Sequence, residues 1–172
     1  MVGGLALDAA DTGKENTAIG HQALTSDTKG QRNVAVGAGA LATQNFTSAT
    51  NSYNTGIGYS AGNLLTTGES NTLIGALTGD AITTGNFNIA IGKESLSANT
   101  TGASNISIGV QANFGADTES NNLSIGQAAL GSSVAGGEFN VAIGNLSLDA
   151  LTSGDENTAV GYGALSALQA GS

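Results

Sequence analysis

A five-residue motif, Asn-x-small-[Ile/Val]-Gly, recurs along this chain at nearly fixed spacing, and that period limits the fold more than any other feature. It begins at Asn16, Asn33, Asn54, Asn71, Asn88, Asn105, Asn122, Asn140 and Asn157, with steps of 17, 21, 17, 17, 17, 17, 18 and 17 residues. Val2-Gly3 with Ala6-Leu7 repeats the end of the motif, so 1–15 reads as a partial first unit of one repeat domain spanning 1–172. With the Asn as position 1, position 5 is always Gly. Position 8 is small (Ala23, Ala40, Ala61, Thr78, Ser95, Ala112, Ala129, Ser147, Ala164), and position 9 is Leu in six of nine units. Asp, Glu, Lys and Arg are absent from positions 1–5, 8 and 9, which marks those positions as buried or nearly so.

Seventeen residues are too few for a helical hairpin, and two recurrent glycines per unit oppose a helix at about 1 kcal/mol each. Positions 1–4, as in Asn88-Ile-Ala-Ile, have the β-branched content of a short strand. Gly at 5 suits a corner, and the Thr-x-Gly stretch near 13–15 suits a return turn. Each unit is therefore expected to be one coil of an all-β parallel solenoid, about ten coils in all. The Asn side chains are expected to stack as a ladder. Strand alternation assigns position 4 to the core, as Ile19, Val36, Ile57, Ile74, Ile91, Ile108, Ile125, Ile143 and Val160. Position 3 then faces outward, small and uncharged, as a seam for a second chain. Of the two breaks in period, the longer lies within Ala42–Tyr53. Its residues Gln44, Asn45, Phe46 and Thr47 form the candidate recognition loop. The shorter falls near Gly136-Gly137.

Composition narrows the function. Four Lys and Arg against thirteen Asp and Glu give a net charge of −9, the wrong sign for nucleic acid or an anionic membrane. No apolar run is long enough to span a bilayer, and no signal peptide is visible. Without cysteine there is neither a disulfide nor a thiolate metal site. The sole histidine, His21, occupies variable position 6, and the carboxylates are scattered over variable positions. No nucleotide-binding glycine motif occurs. No catalytic, metal or cofactor site is expected, and the chain does not read as an enzyme.

The units Asn16-Thr-Ala-Ile-Gly20, Asn88-Ile-Ala-Ile-Gly92 and Asn157-Thr-Ala-Val-Gly161 resemble the head repeats of YadA-like trimeric autotransporter adhesins. They are similar also to the Asn-Thr-Ala-[Ile/Val]-Gly-Tyr-x-Ala-Leu repeats of bacteriophage fibre proteins, most closely at 157–165. The resemblance implies a left-handed parallel β-roll and a homotrimer. The unit here is longer than the adhesin unit, which favours a phage or other fibre. The expected function is a rigid homotrimeric rod on a virion or cell surface, serving attachment to a receptor or glycan. The alternatives are an end-to-end extracellular filament and an ice- or surface-binding solenoid. Against the last, the position-2 threonines Thr17, Thr55, Thr72 and Thr158 are interrupted by Val, Ile and Leu.

Overall fold

The computed structural model describes residues 3–131 and 137–171. Among them there is no helix. Positions 2–4 of every unit form a three-residue strand: Thr17–Ile19, Val34–Val36, Thr55–Ile57, Thr72–Ile74, Ile89–Ile91, Ile106–Ile108, Leu123–Ile125, Val141–Ile143 and Thr158–Val160. The nine strands make one parallel sheet in chain order, each paired with equivalent residues of the next, as Ile89 with Ile106. Such a sheet, with one strand per turn, is a β-solenoid. Eight inter-strand steps of about 4.8 Å give a stack roughly 38 Å long. Residues 3–15 stack on the next coil, with the Leu7 N–H donating to the Ala23 carbonyl at 3.1 Å. Val2 and the extra residue near Gly136 lie outside the described residues.

The strands are built as expected, but their inward and outward faces are exchanged. Ala18, Ala35, Gly56, Leu73, Ala90, Ser107, Ser124, Ala142 and Ala159 at position 3 are buried. The position-4 residues Ile19, Ile57 and Val160 are exposed, and Val36, Ile74, Ile91, Ile108, Ile125 and Ile143 are only half-buried. Position 4 is therefore not the core, and position 3 is not an outer seam. The phase is set by the Asn at position 1. Its amide reaches the backbone of neighbouring coils only from inside the coil, so position 3 must also point inward. A period-2 pattern shifted by one residue reverses every side chain.

The ladder is continuous. At each of its eight steps the backbone N–H of one Asn donates to Oδ1 of the Asn before it, at 2.9–3.0 Å. In most coils Nδ2 also donates across the coil to the carbonyl at position 15, at 2.7–2.9 Å. Most of these Asn residues thus tie two coils together and close their own.

Positions 3, 8, 9 and 12 fill the interior, and they compensate for one another. Position 9 is Leu in most coils, including the buried Leu24, Leu41, Leu96, Leu130 and Leu148. Where it is Gly, Leu73 at position 3 takes the space. A Cβ on Gly62 would come within 2.6 Å of Leu73 Cδ1, and one on Gly79 within 2.9 Å of Leu73 Cδ2. Where position 3 is Gly56, Leu41 fills in, with Cγ 2.8 Å from the site of the missing Cβ. Sequence periodicity did not mark position 12 as buried. Leu65, Ile82 and Leu151 stand there, but so do Asp27, Gln44 and Asn99.

Positions 7, 9 and 17 turn the coil in the left-handed region, mostly without glycine. Leu24 has φ 50°, Glu94 56° and Phe87 59°. Each such residue costs about 1–2 kcal/mol, and the stack offsets this with bonds between coils. The Phe87 N–H donates to the Glu69 carbonyl at 3.0 Å, and the Leu24 N–H to the Ala40 carbonyl at 2.9 Å. Position 5 admits only glycine, because a Cβ on Gly92 would lie 2.5 Å from the carbonyl oxygen of Gly109 in the next coil.

Two outcomes follow in thermal melts. Asn88→Leu strips partners from the Asn105 N–H and the Gly102 carbonyl. At about 1–3 kcal/mol per unsatisfied buried group, it should destabilise far more than Gln127→Leu on the exposed surface. Gly92→Ala, strained at φ 129° and obstructed by backbone, should cost more than about 1 kcal/mol.

Candidate interaction surface

Turning position 3 inward leaves the apolar residues of positions 2 and 4 outside. Together they form a ribbon two columns wide running along the stack. Position 4 contributes only Ile and Val, and position 2 contributes Thr17, Val34, Thr55, Thr72, Ile89, Ile106, Leu123, Val141 and Thr158. The ribbon carries no charge. Two exposed columns flank it. One, at position 17, includes Tyr53, Phe87 and Phe139, and Phe87 is 63% exposed. The other, at position 6, includes Tyr59, Val110 and Tyr162.

Charged side chains stand at both margins of the ribbon. In the position-17 column Arg32 Nε donates to Glu15 Oε2 at 2.7 Å, and Nη1 donates to the Tyr53 hydroxyl at 2.9 Å. The guanidinium also lies 5.7 Å from the Tyr53 ring centre. These bonds, the Glu15 one first, raise the Arg32 pKa further and keep it charged. On the other margin Lys93 Nζ lies 2.9 Å from Glu94 Oε1, and Gln111 Nε2 donates to Glu94 Oε2 at 2.9 Å. Both lower the Glu94 carboxyl, Lys93 most. His21 is exposed in the position-6 column.

The loop around 44–47 is divided between the interior and the surface. Gln44 and Phe46 are buried, while Asn45 and Thr47 are exposed. Gln44 Nε2 donates to Asp27 Oδ2 at 2.7 Å, and Gln44 Oε1 accepts from Asn54 Nδ2 at 2.9 Å. Asp27 also accepts from the Gly30 N–H at 2.9 Å. Thr28 Oγ1 donates to Asn45 Oδ1 at 2.9 Å, and the Thr47 carbonyl accepts from Lys29 Nζ at 3.4 Å. The Gln44 position is the coil's inward position 12, so its side chain serves the interior. A polar residue in a lengthened unit gave no sign of that burial.

Among the described residues no group of three His, Cys, Asp or Glu converges as a metal site, and no helix is long and apolar enough to cross a membrane. No pocket forms. No protein-family model, curated protein or solved structure matches the chain.

Asp80 offers a pH test of the stack. Burial raises its carboxyl above the ordinary aspartate value, with nearby Glu94 adding to the rise and a backbone hydrogen bond opposing it. The folded state therefore takes this proton more readily than the unfolded chain. Its effect on stability is unfavourable at neutral pH and fades as pH falls through the raised pKa. Asp80→Asn should raise the melting temperature at neutral pH. In melts at stepwise lower pH, that gain over wild type should shrink.

Proposed function

We propose that this protein is a non-catalytic structural rod in which three parallel copies pack their apolar ribbons around a common axis, forming an attachment fibre or surface appendage. The exposed ribbon of positions 2 and 4 carries this reading. Monomeric proteins seldom leave so long an apolar strip in water. With its flanking columns it covers roughly 20 Å by 38 Å at extended-strand spacing, close to the ~800 Å² each partner gives to a standard interface. The solenoid presents the same residue class at every level, so parallel copies in register match Ile and Val to Ile and Val throughout. A cyclic trimer also keeps equivalent chain ends on one side, as a projecting rod requires. The repeat motif's likeness to trimeric adhesin heads and phage fibres agrees with this stoichiometry and supports a rod displayed on a virion or cell surface.

Light scattering of the wild type should give a mass three times the 16.7 kDa chain. The double variant Ile91→Asp with Ile108→Asp places charge on the half-buried ribbon and should give folded monomers with an unchanged β signal in circular dichroism. Ala90→Asp, next to Ile91 in the same strand but fully buried, should instead unfold the coils around it at a cost of several kcal/mol. A monomeric wild type, or a double variant that still trimerises, overturns the assembly.

A further inference from the structure

The apolar interior is split. Among the described residues, the buried apolar side chains group into two clusters, one running from Ala6 to Leu96 and the other from Ala129 to Ala159. Between them lies the coil that begins at Asn105, whose inward positions hold Ser107, Ala112, Asn113 and Ala116, all fully buried. Asn113 stands at position 9, where the other full coils have Leu or Gly. Neither its Oδ1 nor its Nδ2 has a hydrogen-bond partner, and Ser107 Oγ and Asn99 Oδ1 also lack one.

The register of the stack brings these groups together. Leu73 at position 3 fits between Gly62 and Gly79, the position-9 residues of the preceding coil and its own. The same relation sets Asn113 between Ser107 and Ser124. Asn99 precedes Ala116 by one coil in the position-12 column. That column is thinned here, since Ala116 stands where Leu65, Ile82 and Leu151 stand elsewhere. Glu119 stands beside this gap, its Oε2 accepting from the Thr118 N–H at 2.9 Å. It replaces the usual glycine at position 15, and a Cβ at the equivalent Gly68 would meet Leu65 Cδ1 at 2.6 Å. Its own Cβ thus leads toward Ala116, and its side chain is buried.

We propose that this layer is an internal hydration site, with ordered water bridging Asn113 to Ser107 Oγ and Asn99 Oδ1. A buried amide without partners costs about 1–3 kcal/mol, and the occupant must both accept from Nδ2 and donate to Oδ1. Water does both, whereas a metal ion satisfies only the oxygens.

Nuclear magnetic resonance tests this directly. Long-lived water should give cross-relaxation peaks to the Asn113 side-chain amide protons in the wild type, and their absence overturns the proposal. Asn113→Leu should expel the water. It should also melt at least about 2 °C higher, because Leu96 and Leu130 already occupy position 9 beside Ser107 and Ser124. A lower melting temperature overturns the proposal. If calcium or sodium raises the melting temperature of the wild type but not of this variant, the occupant is a cation and the hydration site is refuted. Should Asn113→Leu fail to fold, Asn113→Ala decides. Its enlarged polar space should keep water peaks to the Ser107 amide, and a dry space refutes the site.

Discussion

The Asn at position 1 holds the rest of the structure in place. Its Oδ1 receives a backbone N–H from the next coil, and its Nδ2 commonly crosses its own coil to the position-15 carbonyl. Both bonds lie within the stack, away from competing water, where a satisfied network is strengthened and a broken one is costly. This one side chain fixes the height of each coil, its closure and the phase of its strand. The inward direction of position 3 and the apolar exterior both follow from that phase.

The coil itself is conformationally costly. Three left-handed residues per turn, most of them not glycine, give no isolated unit a reason to close. Closure becomes favourable only once a neighbouring coil supplies the hydrogen bonds and the shared interior. Stability in such a stack resides largely in the contacts between neighbouring units.

The architecture was legible in the sequence because the 17-residue period and the Asn-to-Gly motif are both direct consequences of stacking. Core direction was not. Ile and Val at position 4 look like core by hydrophobicity, while Ala at position 3 looks like a close-approach surface. Only the inward Asn breaks the tie, and a three-residue strand offers too few alternations to do so by itself. Position 12 escaped notice for a different reason. Asp27 and Gln44 disguise a buried column by bonding to each other, and Asn99 by donating to the Glu119 carbonyl. The left-handed corners at Leu24 and Phe87 carry no glycine signal, since the strain is offset by bonds that sequence does not display.

Nine nearly identical strands raise a problem of identity for a folding chain. Any one can pair with the wrong neighbour and still form a good ladder, displaced by a whole unit. The exchange of bulk among Gly56, Gly62, Leu73 and Gly79 removes that degeneracy. Leu73 fits only where position 9 is empty both in its own coil and in the one before it. A coil mounted one level away would drive Leu73 against a leucine or leave a void. The irregular middle of the rod therefore works as a key, giving an otherwise interchangeable stack one correct order of assembly.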